Sequence, residues 1–106
     1  MYIPKTIRIG SYDYAVNQTN KTLVINAKQC KGTIDYNYHT IDIDTSIQDR
    51  QGQEETLLHE LFHGIVNERN LDLTNSNEEI IVEELARGLH QVIRDNPDMF
   101  KNKEEK

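Results

Sequence analysis

Residues 54–69, which read EETLLHELFHGIVNER, are the stretch that decides the fold. Apolar residues recur in it at spacings of three and four: Leu58, Leu61, Phe62, Ile65 and Val66. This is the period of an amphipathic helix that buries one face against a core. We therefore predict a helix that begins near Arg50 and ends at Asn70.

The residues before this helix alternate between apolar and polar, which is the period of half-buried strands. Alternation covers residues 7–9, 12–16 and 34–43, and residues 23–25 form a short apolar run. Asn37 is predicted to mark a hairpin turn within the last of these stretches. We predict a meander of three to five strands, mostly antiparallel.

A second helix is predicted to follow Ser76-Asn77-Glu78-Glu79, which has the form of a capping box. In that motif Ser76 caps the helix and Glu79 reaches back to it. The apolar stripe comes next: Ile81, Val82, Leu85, Leu89 and Val92, with Ile93 beside it. Asn96-Pro97 is predicted to stop the helix. Strands followed by helices indicate a single α+β domain over residues 1–100, with a charged, disordered tail at 101–106.

Charge and composition exclude several classes of partner. The 12 basic and 18 acidic side chains give a net charge of −6, which argues against nucleic acid and against anionic membranes. No apolar run is long enough to span a bilayer, and residues 1–10 lack the apolar core of a signal peptide. Cys30 is the only cysteine, so no internal disulfide can form, and we interpret it as a half-buried apolar residue. We expect a cytoplasmic protein.

Residues 59–63 spell HELFH in the middle of the first predicted helix. Helix positions four apart differ by about 40° around the axis, so His59 and His63 are expected to project from one face. Two imidazoles arranged in this way can share a tetrahedral Zn²⁺ ion. Glu60 is expected beside the ion without binding it, as the general base of a metallopeptidase must be.

A catalytic zinc site of this type needs a third protein ligand. The chain lacks the glycine and the third histidine that metzincins place after the motif. Thermolysin-like enzymes take a glutamate from the next helix, and their spacing points to Glu83. The periodicity of the second helix favours Glu84 instead, because Glu84 is nearer the edge of the apolar stripe. Glu79 and His90 share the face of Glu83 and are further candidates.

Several runs of the chain carry a resemblance to a known family: GTIDY (32–36), TIDI (40–43), ETLLHEL (55–61), IVEELARGL (81–89) and QVIRDNP (91–97). They are similar to small phage- and prophage-encoded zinc-peptidase-like proteins of the gluzincin type, which are distantly similar to the ImmA/IrrE metallopeptidase group. The resemblance implies a minimal zincin-like fold, Glu83 as the third ligand and a peptide or protein substrate. It also implies that the protein works in the cytoplasm of a host cell.

The predicted reaction is peptide-bond hydrolysis, in which Zn²⁺ activates water and Glu60 takes its proton. The oxyanion needs a further hydrogen-bond donor, and four residues are candidates: Tyr36, Tyr38, His39 and His90. Each also has a plain structural interpretation. The two tyrosines would lie in the core or on the sheet, His39 in a turn, and His90 on a solvated helix face. The alternative function is a non-catalytic protein of the same fold that zinc stabilises. A DNA-binding regulator is disfavoured by charge.

Overall fold

The computed structural model describes residues 1–95, apart from the side chain of Val92. The elements in chain order are β1 (Thr6–Ile9), β2 (Tyr12–Thr19), β3 (Leu23–Ile25), β4 (Lys28–Cys30), β5 (Gly32–Asp35), β6 (Thr40–Asp44), α1 (Arg50–Glu68) and α2 (Glu78–Asp95). This order confirms the predicted α+β class, with an N-terminal sheet followed by helices. The predicted helix stop at Asn96-Pro97 and the predicted tail at 101–106 lie outside the described residues.

Four strands form one sheet in the order β1-β2-β6-β5. The β1–β2 and β5–β6 pairs are antiparallel, as predicted, but β2 and β6 run parallel. The sheet is therefore not the simple meander that the alternation suggested. The chain leaves the sheet after β2, forms a separate β3–β4 hairpin, and returns through β5 at the edge of the sheet. This excursion lets β6 enter beside β2 in the same direction.

Two tight turns have side-chain or backbone features that explain them. Between β5 and β6, the carboxylate of Asp35 accepts hydrogen bonds from the backbone N–H groups of Asn37 and Tyr38, which confirms the predicted hairpin. Between β3 and β4, Asn26 and Ala27 both have positive φ, at 53° and 65°. Two consecutive residues in this region are typical of the type I′ turn that joins two-residue hairpins.

The core lies between one face of the four-stranded sheet and α1. Ile41 and Ile43 of β6 are fully buried, and Leu57 of α1 packs against the same cluster. The helix begins after Asp49, whose carboxylate accepts a hydrogen bond from the N–H of Gly52. It ends before Asn70, whose positive φ of 51° is the left-handed conformation common after a helix. Both ends agree with the prediction.

The second helix differs from its prediction in the residue that caps its N-terminus and in the face that is buried. Asn77, rather than Ser76, caps it, because the Asn77 side chain accepts a hydrogen bond from the N–H of Ile80. The buried positions are spaced four apart, at Val82, Ala86 and His90, whereas Leu85 is 51% exposed. The predicted stripe was wrong at Leu85 because α2 packs on α1 with this narrower face. Among residues 1–95, neither helix combines the length and the hydropathy that crossing a bilayer requires.

Candidate metal centre

The two histidines of the HELFH motif lie one turn apart on the face of α1 that meets α2. Their Nε2 atoms are 3.2 Å apart, so both rings direct the same nitrogen at one point. Each side chain is mostly buried, with 16% of His59 and 14% of His63 exposed. The expectation that the pair shares one face of the helix is confirmed.

A carboxylate from the first turn of α2 meets this pair of nitrogens. Oxygen atoms of Glu79 lie 2.7 Å from Nε2 of His59 and 3.0 Å from Nε2 of His63. In a tetrahedral zinc site with ordinary bond lengths, two ligand atoms are separated by about 3.3 Å. The 3.2 Å between the two nitrogens is close to that value, and His59, His63 and Glu79 form a group that could hold a metal ion.

The remaining ring nitrogens face two other glutamates of α2. Nδ1 of His63 is 2.7 Å from an oxygen of Glu78, and Nδ1 of His59 is 3.4 Å from an oxygen of Glu83. A carboxylate that accepts the Nδ1 proton leaves the lone pair on Nε2, the arrangement that metal-binding histidines commonly use. In this conformation Glu83, the ligand predicted from spacing, lies on the outer side of His59.

The two candidates that the sequence left open can be placed relative to this cluster. Glu83 lines the groove beside the histidines, and its second oxygen is 3.2 Å from Nε of Arg87. Glu84 is exposed and contacts none of the residues of the cluster. Of these two neighbours, Glu83 is the one that approaches a histidine of the cluster, while Glu79 lies closer to the Nε2 atoms.

Glu60 is buried next to the cluster. It is 7% exposed, and its carboxylate comes within 4.0 Å of Nε2 of His59. Burial raises the pKa of Glu60, while the two histidines oppose that rise. Gly32 of β5 allows the strand to lie close to this part of α1, because an added Cβ would come 2.4 Å from Thr56 Cγ2 and 3.4 Å from Glu60 Cγ.

A groove of about 690 Å³ runs between α1, α2 and the β4–β5 side of the molecule, and the cluster lies in it. Tyr36, which follows β5, lines the groove and donates a hydrogen bond of 3.4 Å to the backbone carbonyl of His63. Burial, with the negative charges of Glu78 and Glu60, raises the pKa of Tyr36 to about 12. The single hydroxyl proton is directed at the carbonyl of His63, so Tyr36 would have to turn its hydroxyl to donate a hydrogen bond into the groove.

The other three predicted donors lie elsewhere. Tyr38 is 82% exposed in the β5–β6 turn, and His39 stacks on Tyr12 with ring centres 4.1 Å apart. His90 is buried, and its Nε2 lies 2.8 Å from a carboxylate oxygen of Glu54. The interpretation of His90 as a solvated residue was therefore wrong, because the buried face of α2 is centred on Val82, Ala86 and His90. Cys30 is half-buried, as predicted.

Sequence reasoning gave too little weight to Glu78 and Glu79. Glu79 was predicted to be part of a capping box and was only a further candidate for the third ligand, and Glu78 had no predicted role at the site. The available signal was two consecutive carboxylates in the first turn of a helix that follows the histidine motif by a short loop. Because α2 runs back along α1, its first turn comes level with the last histidine of the motif.

Comparison with known proteins gives no match, whether with a family model, a curated protein or a solved structure. The resemblance to phage-encoded zinc-peptidase-like proteins therefore stays a prediction.

Proposed function

We propose that the protein is a zinc-dependent peptidase that hydrolyses peptide bonds at the cluster of His59, His63 and Glu79. The observation that carries this proposal is the convergence of two imidazole Nε2 atoms and one carboxylate beside the buried carboxylate of Glu60. Two histidines and a glutamate are the donor set of thermolysin-type catalytic zinc sites.

The protonation of the cluster supports a bound cation. The two Nε2 atoms are 3.2 Å apart and cannot both carry a proton that points at the other. The pair is also surrounded by acidic side chains, because Glu60, Glu78, Glu79 and Glu83 all approach one of the rings. A divalent cation between the Nε2 atoms would use both lone pairs and offset part of this negative charge.

A zinc ion in this position would supply a Lewis acid that polarises the peptide carbonyl and lowers the pKa of water. Glu60 takes the proton from the attacking water and passes it to the leaving amine, as its place beside the Nε2 atoms allows. Glu78 holds the ring of His63 in orientation. Tyr36, by turning its hydroxyl proton away from the carbonyl of His63, would stabilise the negative charge that develops on the carbonyl oxygen of the substrate.

The third ligand is the point at which the spacing and the geometry differ. The thermolysin-like spacing and the family resemblance favour Glu83, whereas the short distances to both Nε2 atoms favour Glu79. We propose Glu79 as the ligand and Glu83 as the outer partner of His59. This revision keeps the same metal, the same base and the same reaction.

The test combines metal analysis with one conservative substitution. The purified protein should contain or take up one zinc ion per chain, and His59→Ala should lose it. Glu60→Gln should keep the zinc and the melting temperature, while cleavage of a mixed peptide library falls by about 10²–10⁴-fold. A protein that takes up no zinc, or a Glu60→Gln variant that cleaves as fast as wild type, would contradict the proposal.

A second candidate function is a non-catalytic protein in which zinc joins the two helices. This function is favoured because the proposed ligands come from both helices, the histidines from α1 and the glutamate from α2, so that a bound metal would link them. The buried Glu60 favours the peptidase, because zinc retention alone has no use for this carboxylate. Zinc binding without cleavage of any peptide would favour the structural role. The single cysteine supports a cytoplasmic location in either case.

A further inference from the structure

The groove that contains the cluster is lined by basic as well as acidic side chains. The basic ones are Lys28 from β4, Lys31 from the link between β4 and β5, and Arg87 from α2. The backbone carbonyl of Lys31 accepts a hydrogen bond from the side chain of Gln48, just before α1. This contact places Lys31 beside the start of α1, at one end of the groove, while the histidines lie farther along the same helix.

The two groove lysines differ from Arg87, which pairs with Glu83, in having no acidic partner in the part of the chain that the structure describes. Within residues 1–95, neither Lys28 nor Lys31 has a carboxylate at ion-pair distance. Glu55 of α1, which also lines the groove, lies 3.6 Å from Nδ1 of His90. Lys5 and Lys21 are equally unpaired within residues 1–95, so what distinguishes Lys28 and Lys31 is that both line one groove. Such a pair favours a negatively charged group in the groove.

We propose that this end of the groove binds a carboxylate of the substrate, either an Asp or Glu side chain or a free C-terminus. The inference rests on the proposed function, because the hydrolytic centre fixes where the peptide lies. Lys28 and Lys31 make the main contacts. Arg87, which Glu83 holds at 3.2 Å, adds positive charge from the opposite wall.

The spacing of the groove sets where that carboxylate lies in the peptide. The seven helical steps of α1 from Gly52 to His59 span about 10 Å along the helix axis. An extended peptide advances about 3.3 Å per residue, so this distance corresponds to roughly three residues. The carboxylate should therefore belong to a residue two to four positions from the bond that is cut.

The experiment measures binding separately from cleavage. Zinc-loaded Glu60→Gln protein is titrated with short fluorescent peptides with blocked ends, each with a single Glu, Gln or Lys at one scanned position. A further peptide without acidic side chains has a free C-terminal carboxylate, which distinguishes the two sources. Glu or the free carboxylate should improve the binding constant by about three- to tenfold over Gln, and the preference should weaken at high salt.

Paired variants identify the residues responsible. Adding Lys28→Gln and Lys31→Gln together should abolish the preference, while Lys5→Gln with Lys21→Gln, which remove the same charge outside the groove, should leave it intact. Equal binding of Glu, Gln and Lys peptides, or a preference that survives loss of both groove lysines, would overturn the inference. If the preference is found but wild type cleaves no peptide, the peptidase proposal fails and the carboxylate site stands. If wild type cleaves peptides without regard to their charge, the carboxylate site fails and the peptidase proposal stands.

Discussion

The Nδ1 atom of His63 lies 2.7 Å from a carboxylate oxygen of Glu78, while Nε2 of the same ring faces His59. In the neutral ring, a proton on Nδ1 that is shared with Glu78 leaves a lone pair on Nε2, so the first contact favours the tautomer that can bind a metal. Glu78 is the first residue of α2, so the start of this helix orients a ring that α1 carries.

This relationship predicts that Glu78 contributes to metal affinity without binding the metal. Glu78→Ala should weaken zinc binding by about 10–100-fold, the usual effect of losing a carboxylate behind a histidine ligand. The measurement is competition with a chromophoric chelator, and Glu84→Ala is the matched control on the exposed side of α2. Equal affinities for wild type and Glu78→Ala would show that the ring needs no such support.

The third ligand can be decided by comparing two single substitutions. Glu79→Ala should reduce zinc affinity more than Glu83→Ala, because the Glu79 carboxylate approaches both Nε2 atoms and Glu83 approaches only Nδ1 of His59. Circular dichroism on both variants checks that α2 is intact. The opposite ranking would restore the assignment to Glu83 that sequence spacing gave.

The features that could be predicted from the sequence are those that short local patterns determine. The period of residues 54–69 located α1, and the four-residue spacing of His59 and His63 predicted that their rings share a face. Asn37 and Asn70 were identified from turn and helix-end preferences. Each of these features depends on a few neighbouring residues, which is why one sequence was enough.

The parts that sequence missed depend on packing between elements. The parallel pairing of β2 with β6 follows from where β3 and β4 leave the sheet, and no local alternation encodes that. The facing of α2 depends on its contact with α1, which exposes Leu85 and buries His90. This same facing brings Glu79 close to the histidines, which is why the geometry and the sequence spacing favour different third ligands.

Two glycines that pack against neighbouring elements should respond differently to alanine. At Gly32 the new Cβ would meet Thr56, a β-branched side chain on α1 that is held by a 2.7 Å hydrogen bond to Gln48. Gly32→Ala should therefore lower the free energy of unfolding by about 1–3 kcal/mol. At Gly64 the Cβ would meet the flexible ends of Ile9 and Ile34 at 2.8 and 3.2 Å, so the loss should be smaller.

Gly88→Ala is the control for this comparison, because nothing lies within 4 Å of the position that its Cβ would occupy. In a helix it should raise the free energy of unfolding by about 0.5–1 kcal/mol. Urea denaturation of the three variants gives the values. A Gly64→Ala variant that is as unstable as Gly32→Ala would mean that the isoleucines cannot move, and that the close approach of β5 to α1 is not the special feature proposed.

The contact between Glu54 and His90 should make stability depend on pH. Burial raises the pKa of Glu54, but the hydrogen bond from His90 and nearby positive charges outweigh it, so the pKa is below its ordinary value of 4.5. A lowered pKa in the folded state contributes stability above the ordinary value, and that contribution is lost as pH falls through the folded value. Glu54→Gln should therefore lower the free energy of unfolding by about 1–3 kcal/mol at pH 7. The difference in the free energy of unfolding between Glu54→Gln and wild type should shrink below about pH 4.5.

Glu55→Gln is the matched control for that prediction, since Glu55 also approaches His90 but its side chain is 42% exposed and 3.6 Å away. Its effect should stay within about 1 kcal/mol, because an exposed ion pair is screened by solvent. Denaturation curves for wild type and both variants between pH 3 and pH 7 measure the two effects under the same conditions. If the free energies of unfolding of Glu54→Gln and wild type differ by a constant amount down to the lowest pH, the ionised carboxylate is not the source of the stability. Shape and hydrogen bonding at position 54 would then account for it.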